Sequence, residues 1–305
     1  MSSLISSNVN NWLHLLITQT SPISSSDVHN VCQLIQTNEL TLEKVVIDLG
    51  PLITDSDINE RLKGLNILSV IIKSLPKDLL SQNEIQHLIQ FYCHRLQDSE
   101  PSIATIFSGL LALIECLNFD ESLNQMVVNG LTKKMFESDR QYTESEKSLL
   151  FQILGQLFKN NSNDVVLNAM LTNEVNGQTL LPIILEAISE EKSNSNSSEL
   201  SHLAALDVIL QILVEGNQDI LGPSLKSTVN NCINLSINSS YLKVRRSALN
   251  CLALIANNFN DSDLNSLRDE VIRRLKITLN DKKRLVRKSA VRARCQWIFV
   301  GQPGR

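Results

Sequence analysis

"DKKRLVRKSA", residues 281–290, places Asp281 six positions before Arg287, Val286 beside that arginine, and the small Ala290 three positions after it. Each residue type has a physical task if a helix starts here. An arginine one turn inside a helix can reach back to an aspartate at or near the cap, while valine and alanine suit the side where a second helix comes close. The kernel returns 42 residues upstream in "SSYLKVRRSALNCLALIA", residues 239–256, as Val244, Arg245 and Ala248, with Ser239 in the acidic position. A fainter copy, "ELSHLAALDVILQIL" (199–213), has His202 for the arginine and Ala205 for the small residue. "DSDINERLKGLNILSVIIKSL" (55–75) restores Asp55, Arg61 and Gly64 at the same offsets. Steps of 43 from Arg61 reach Ala104 in "DSEPSIATIFSGLLALIECL" (98–117), with Asp98 six before it, and Lys147 in "YTESEKSLLFQILGQLF" (142–158).

The marks therefore stand at 61, 104, 147, 202, 245 and 287, separated by 43, 43, 55, 43 and 42 residues. A period of about 40–47 residues with two helices per unit is the HEAT or armadillo range, and it predicts an all-α solenoid of stacked two-helix repeats. Apolar spacing agrees. Leu62, Leu65, Ile67, Leu68, Ile71, Ile72 and Leu75 form one helical stripe, "EIQHLIQFYCHRL" (84–96) is amphipathic, and "SLPK" and "GPSL" supply breaks. "EEKSNSNSSELS" (190–201) reads as a loop between helices. The wide spacing contains a polar, Asn-rich stretch, "KNNSNDVVLNAMLTNEVNGQT" (159–179). It divides the chain into an N-terminal repeat block, 1–160, a junction, 161–178, and a C-terminal block, 179–305, whose closing helix is basic.

Composition sets the outer bounds. The 305 residues are 43% apolar, 20% charged and only 4% aromatic, with 10 Gly and 7 Pro, so turn-formers are too few for a many-stranded fold. No basic leader opens the chain and no stretch nears the roughly 20 apolar residues of a membrane span, which reads as soluble and intracellular. The six cysteines show no C-x-x-C spacing, and several lie inside apolar runs; buried free thiols in a reducing compartment are expected. Charge is uneven: residues 241–305 carry 15 Lys and Arg against 5 Asp and Glu, net +10, and the rest 13 against 27, net −14. That asymmetry points to an acidic partner or a phosphate backbone at the C-terminal end.

Catalytic signatures are missing: no phosphate-binding glycine loop, no G-x-S-x-G elbow, no H-E-x-x-H. The reading is of a protein that is not an enzyme and needs no cofactor. His87, Cys93 and His94 lack a third and fourth neighbour suited to a metal, and Cys93 reads as core. No tight thiolate cluster exists to hold an iron-sulfur centre. Over residues 284–298, Val286, Ala290, Ala293 and Trp297 share one narrow face, the packing stripe, with Trp297 as its anchor. Arg284, Arg287, Lys288, Arg292 and Arg294 spread over the opposite side and, with Arg245 and Arg246, form the candidate partner-binding set. Guanidinium groups in such an array suit bidentate contacts to carboxylates. The absence of interleaved exposed aromatics and base-reading motifs favours a protein partner over direct nucleic-acid binding.

The ending "LNDKKRLVRKSAVRARCQWIFVGQPGR" (279–305) resembles the C-terminus of the MMS nineteen family of HEAT-repeat adaptors, through "DKKRLVRK", Ala290, Val291, Ala293, Arg294, Trp297 and the closing "GQPG". "LTLEKVVIDLGPLITDSDINERLKGLNILSVII" (40–72) and "EIQHLIQFYCHRLQDSEPSIATIFSGLLAL" (84–113) resemble the other end of the same family. Members are several times longer, so the two ends stand joined here with the long middle absent. The resemblance implies a non-catalytic adaptor of the cytosolic iron-sulfur protein assembly complex. Its implied partners are a WD-repeat propeller subunit, a cluster-carrier subunit and apo iron-sulfur client proteins of DNA repair, replication and transcription; its implied location is cytoplasmic and nuclear. The readings set against it are a basic-ended solenoid on nucleic acid and a generic HEAT scaffold.

Overall fold

A computed structural model describes residues 17–18, 24–97, 103–115, 121–137, 142–159, 179–189, 196–215 and 217–302. The expected junction, 161–178, and Asp98 lie outside the described residues. Thirteen α-helices and no strand occur among the described residues. In the first unit, Met1–Ser138, these are α1 (Ser25–Gln36), α2 (Leu42–Ile53), α3 (Ile58–Ser74), α4 (Gln82–Arg95), α5 (Ile103–Ile114) and α6 (Glu121–Glu137). The second unit, Asp139–Arg305, holds α7 (Glu144–Lys159), α8 (Leu181–Ser189), α9 (Asn196–Val214), α10 (Leu225–Asn238), α11 (Leu242–Asn258), α12 (Asp261–Leu275) and α13 (Arg284–Phe299).

Within each unit the helices stack as pairs in two layers. In the first unit α2 packs on α3 and α4 on α5, while α3 meets α5 and α4 meets α6. The second unit repeats the scheme: α8 with α9, α10 with α11 and α12 with α13, with α7, α9, α11 and α13 in one layer and α8, α10 and α12 in the other. This is the stacked two-helix architecture the period predicts. All six marks fall on second-layer helices, α3, α5, α7, α9, α11 and α13.

Local chemistry explains the helix starts. Ser81 and Glu84 form a reciprocal capping box at α4 (Ser81 N–H to Glu84 Oε2, 2.9 Å; Glu84 N–H to Ser81 Oγ, 3.4 Å), and Thr143 and Glu146 do the same at α7 (2.8 and 3.3 Å). Thr41 caps α2 by accepting the Lys44 N–H at 3.2 Å. Pro76 and the short 3-10 turn Gly222–Ser224 mark the two expected breaks. Of the stripe on α3, all but Leu62 are buried, each such side chain contributing about 1.5–3 kcal/mol. Gly64, in the small position of its repeat, brings α2 close: a Cβ there would stand 3.0 Å from the Leu52 and Ile53 side chains. Ala205, Ala248 and Ala290, in the same position, are fully buried.

One stretch differs from its reading. The segment 190–201 is not a loop to its end: α9 begins at Asn196. Ser201 is buried there and donates to Glu144 Oε2 on α7 at 2.5 Å, so a tertiary partner draws this polar sequence into helix. The marked layer of the second unit is also stitched at an offset of 45 residues. Cys251 Sγ donates to Leu206 O (3.7 Å), Trp297 Nε1 to Leu252 O (2.9 Å), and Asn258 Nδ2 to Leu213 O.

Candidate functional site

The candidate surface grows from the turn before α13. Asp281 Oδ1 accepts the Lys283 N–H at 2.7 Å, an Asx turn that ends where the helix begins. Arg287, four residues into α13, turns one arm of its guanidinium back: NH1 donates to the carbonyls of Asp281 (2.7 Å) and Lys282 (3.2 Å). Arg245 does the same four residues into α11, with NH1 on Ser239 O and Ser240 O, both at 3.0 Å. Arg61 repeats it in the first unit, on Asp55 O (2.5 Å) and Ser56 O (2.9 Å). The repeated arginine thus holds the backbone of its own inter-helix turn, not the carboxylate at its cap.

The Asp281 carboxylate belongs to the preceding repeat. Arg245 donates to it with two nitrogens, Nε to Oδ2 at 2.7 Å and NH2 to Oδ1 at 3.2 Å. Both side chains are nearly covered, 11% and 12% exposed. Burial pushes the Asp281 carboxyl up. The Arg245 hydrogen bonds, the Lys283 amide and the charges of Arg245 and Arg287 outweigh it, and the group sits below the usual carboxylate range.

The seven basic residues do not form one free array. Arg245 is tied into the repeat interface and presents no free edge. Arg294 leans onto α12, with Nε donating to Ile272 O at 3.4 Å; its wheel position flanks the buried stripe instead of opposing it. Arg287 is half-buried with one arm bound. Arg246, Arg284, Lys288 and Arg292 are exposed. Trp297 is fully buried, its indole N–H bonded to α11, and Val286, Ala290 and Ala293 are buried with it.

Three large apolar side chains stand among the exposed cations: Leu285, Val291 and Phe299, 50%, 52% and 57% exposed. A count of charge around the wheel does not reveal this mixed character, because it leaves out the apolar residues between the cations. Positions 284, 288, 291, 295 and 299, at steps of three and four, were the available signal. Cys295 lies on the same face and is exposed, against the expectation that the cysteines are buried; Cys32, Cys93, Cys232 and Cys251 are buried free thiols, and Cys116 lies outside the described residues. Among the described residues no three His, Cys, Asp or Glu side chains gather as metal ligands. No helix among them is long and apolar enough to cross a membrane.

Residues 46–196 match the family model described as MMS19_N, Dos2-interacting transcription regulator of RNA-Pol-II. Among curated relatives, the chain is 39% identical over 127 residues to the mouse MMS19 nucleotide excision repair protein homolog, covering 41% of this chain and 11% of that one. It is 27% identical over 169 residues to the Drosophila melanogaster MMS19 nucleotide excision repair protein, covering 55% and 15%. The chain therefore matches well under two thirds of the length of these relatives. Among solved structures, a designed armadillo repeat protein superposes with a TM-score of 0.57 at 15% identity, covering 82% of this chain and 98% of that one. An engineered protein superposes at 0.61 with 14% identity, covering 98% and 72%. At such identities the likeness shows the fold alone.

Proposed function

We propose, on the match of residues 46–196 to the MMS19_N family model and the likeness to curated MMS19 proteins, that this chain is a non-catalytic adaptor acting in DNA repair and transcription by docking other proteins. The observation that carries this reading is the outward face of α13, where Arg284, Lys288 and Arg292 alternate with exposed Leu285, Val291 and Phe299. A phosphate backbone needs cations alone, whereas a protein interface takes apolar and arginine-rich contacts together. The names of relatives, nucleotide excision repair protein and DNA repair/transcription protein, support a role beside proteins of genome maintenance.

In its finer form, the adaptor serves the cytosolic iron-sulfur assembly complex, holding the propeller and cluster-carrier subunits and passing apo-clients to them in cytoplasm and nucleus. Among the described residues no set of side chains gathers that would hold a cluster. The test is a titration of the purified chain against the propeller and carrier subcomplex, beside Lys288→Glu with Arg292→Glu, after circular dichroism shows both proteins equally helical. Micromolar binding that falls at least about tenfold on charge reversal is expected. A folded wild-type chain that ignores the subcomplex but binds a DNA duplex with a steep salt dependence would replace this reading by the nucleic-acid one.

A further inference from the structure

We infer that Arg287 is a preformed receptor for one carboxylate, presented by an acidic turn of a partner protein. The inference deepens the docking reading, on which it rests, by naming the group that is recognised. Its ground is an internal comparison. Arg245 and Arg287 occupy the same place in successive repeats, four residues into their helices, and each has NH1 fixed by the carbonyls six and five residues back. With NH1 so held, the Nε and NH2 edge of Arg245 meets a carboxylate two-pronged, at 2.7 and 3.2 Å. The equivalent edge of Arg287 meets no acceptor among the described residues.

What fits that edge is drawn in the structure by Asp281, the carboxylate that Arg245 binds. Asp281 sits in an Asx turn, its Oδ1 accepting the Lys283 N–H, just before the first residue of a helix. A partner's aspartate in such a turn would place both oxygens in the plane of the guanidinium, the geometry in which arginine differs from lysine. Anchoring of NH1 removes much of the rotamer freedom that a surface arginine loses on binding. Exposed Lys283, Arg284 and Lys288 surround the site with positive charge and disfavour a basic turn. Exposed Leu285 beside it gives an apolar contact for the first turn of the partner's helix.

The experiment reads the arginine Nε–Hε resonances of the whole chain, labelled with 15N-arginine, during titration with a blocked peptide of the sequence LITDSDINE. This is the chain's own residues 52–60, in which Asp55 Oδ1 accepts the Asp57 N–H at 2.8 Å. A saturable shift at Arg287 is expected, with an apparent affinity at least about fivefold tighter than at the exposed controls Arg246 and Arg292, and at least about threefold weaker for the Asp55→Asn peptide. Arg287→Lys, retaining charge without the fork, should lose the peptide while melting as a helical protein. Equal responses at Arg287, Arg246 and Arg292 would overturn the inference, as would undiminished binding by Arg287→Lys or tighter engagement of Arg287 by a short DNA duplex at the same ionic strength. Binding of the propeller subcomplex that survives while Arg287 ignores the peptide would leave the docking reading standing and this one refuted. Peptide binding at Arg287 without the subcomplex would do the reverse, assigning the site to another acidic partner.

Discussion

At Asp281 a single carboxylate has two tasks: it closes the turn before α13 through Lys283, and it receives both prongs of Arg245 from α11. Truncating it to alanine leaves a nearly covered guanidinium unpaired, and Asp281→Ala should destabilise the chain by about 2–4 kcal/mol in urea denaturation at pH 7. The acid limb follows from the lowered pKa. Because the folded-state value lies below the ordinary 3.8, the stabilisation is present in full above 3.8 and is lost as pH falls through the lowered value. The stability gap between wild type and Asp281→Asn should therefore narrow below pH about 4; a gap constant from pH 7 to 3 would show that ionised Asp281 is not its source. Cysteine chemistry separates along burial in the same way. Burial pushes the Cys32 thiol to about 11 and Cys93 to about 12, whereas Cys295 is exposed on α13. Iodoacetamide at pH 8, read by peptide mass mapping, should label Cys295 well before Cys32 or Cys93, which should react only in denaturant.

Between elements, two contacts set the tolerances. Gly109 on α5 lies against Tyr92 of α4, and an added Cβ would fall 2.4 Å from Tyr92 Cζ. Tyr92 is fully buried and its hydroxyl is fixed by Ser69 Oγ at 2.8 Å, while Ser69 Oγ also donates to Thr105 O at 3.2 Å. The ring has nowhere to go, so Gly109→Ala should cost about 1–3 kcal/mol by overpacking, despite alanine's better helix propensity. A thermal melt at or above the wild-type midpoint would contradict that packing. At the other end, Trp297→Ala should cost about 3–5 kcal/mol, whereas Trp297→Phe, which keeps most of the volume and loses the bond to Leu252 O, should cost less than half as much. Such helix faces were legible in the sequence: Val286, Ala290, Ala293 and Trp297, placed together by a 3.6-residue period, are the side chains α13 buries. The arginine marks at 61, 245 and 287 were legible for a like reason, since each holds the turn within its own helix pair. Contacts one repeat away were not. Asp281 lies six residues from Arg287 and 36 from Arg245, and it is the distant arginine that takes the carboxylate. Nothing local in "DKKRLVRKSA" distinguishes a side chain that binds a carboxylate from one that binds carbonyls. The apolar half of the α13 surface was hidden for another reason: Leu285, Val291 and Phe299 look like core residues until the packed stripe has been assigned elsewhere.

On the scale of the whole chain, the division into two units falls before α7, at 138/139, whereas the change in sequence texture that defines the expected junction, 161–178, falls after it. The difference has a physical cause in α7. This helix packs against α9 of its own unit, with Val208 beside Gly155 at 3.9 Å from an added Cβ and Ser201 bonded to Glu144. Two-helix repeats share their cores with neighbours as well as within each pair, so the strength of a boundary lies in which helices it separates and not in how polar the intervening sequence is. The two positions make opposite forecasts for fragments. A chain of residues 139–305 keeps α7 on α9 and should melt cooperatively with most of its helical signal intact. A chain of residues 179–305 strips α7 away, leaves Ser201 and the apolar face around Val208 open to water, and should be less stable by at least about 3 kcal/mol in urea. Equal stability of the two fragments would mean that α7 adds nothing to the second unit and that the junction, not the 138/139 division, is where the repeats part.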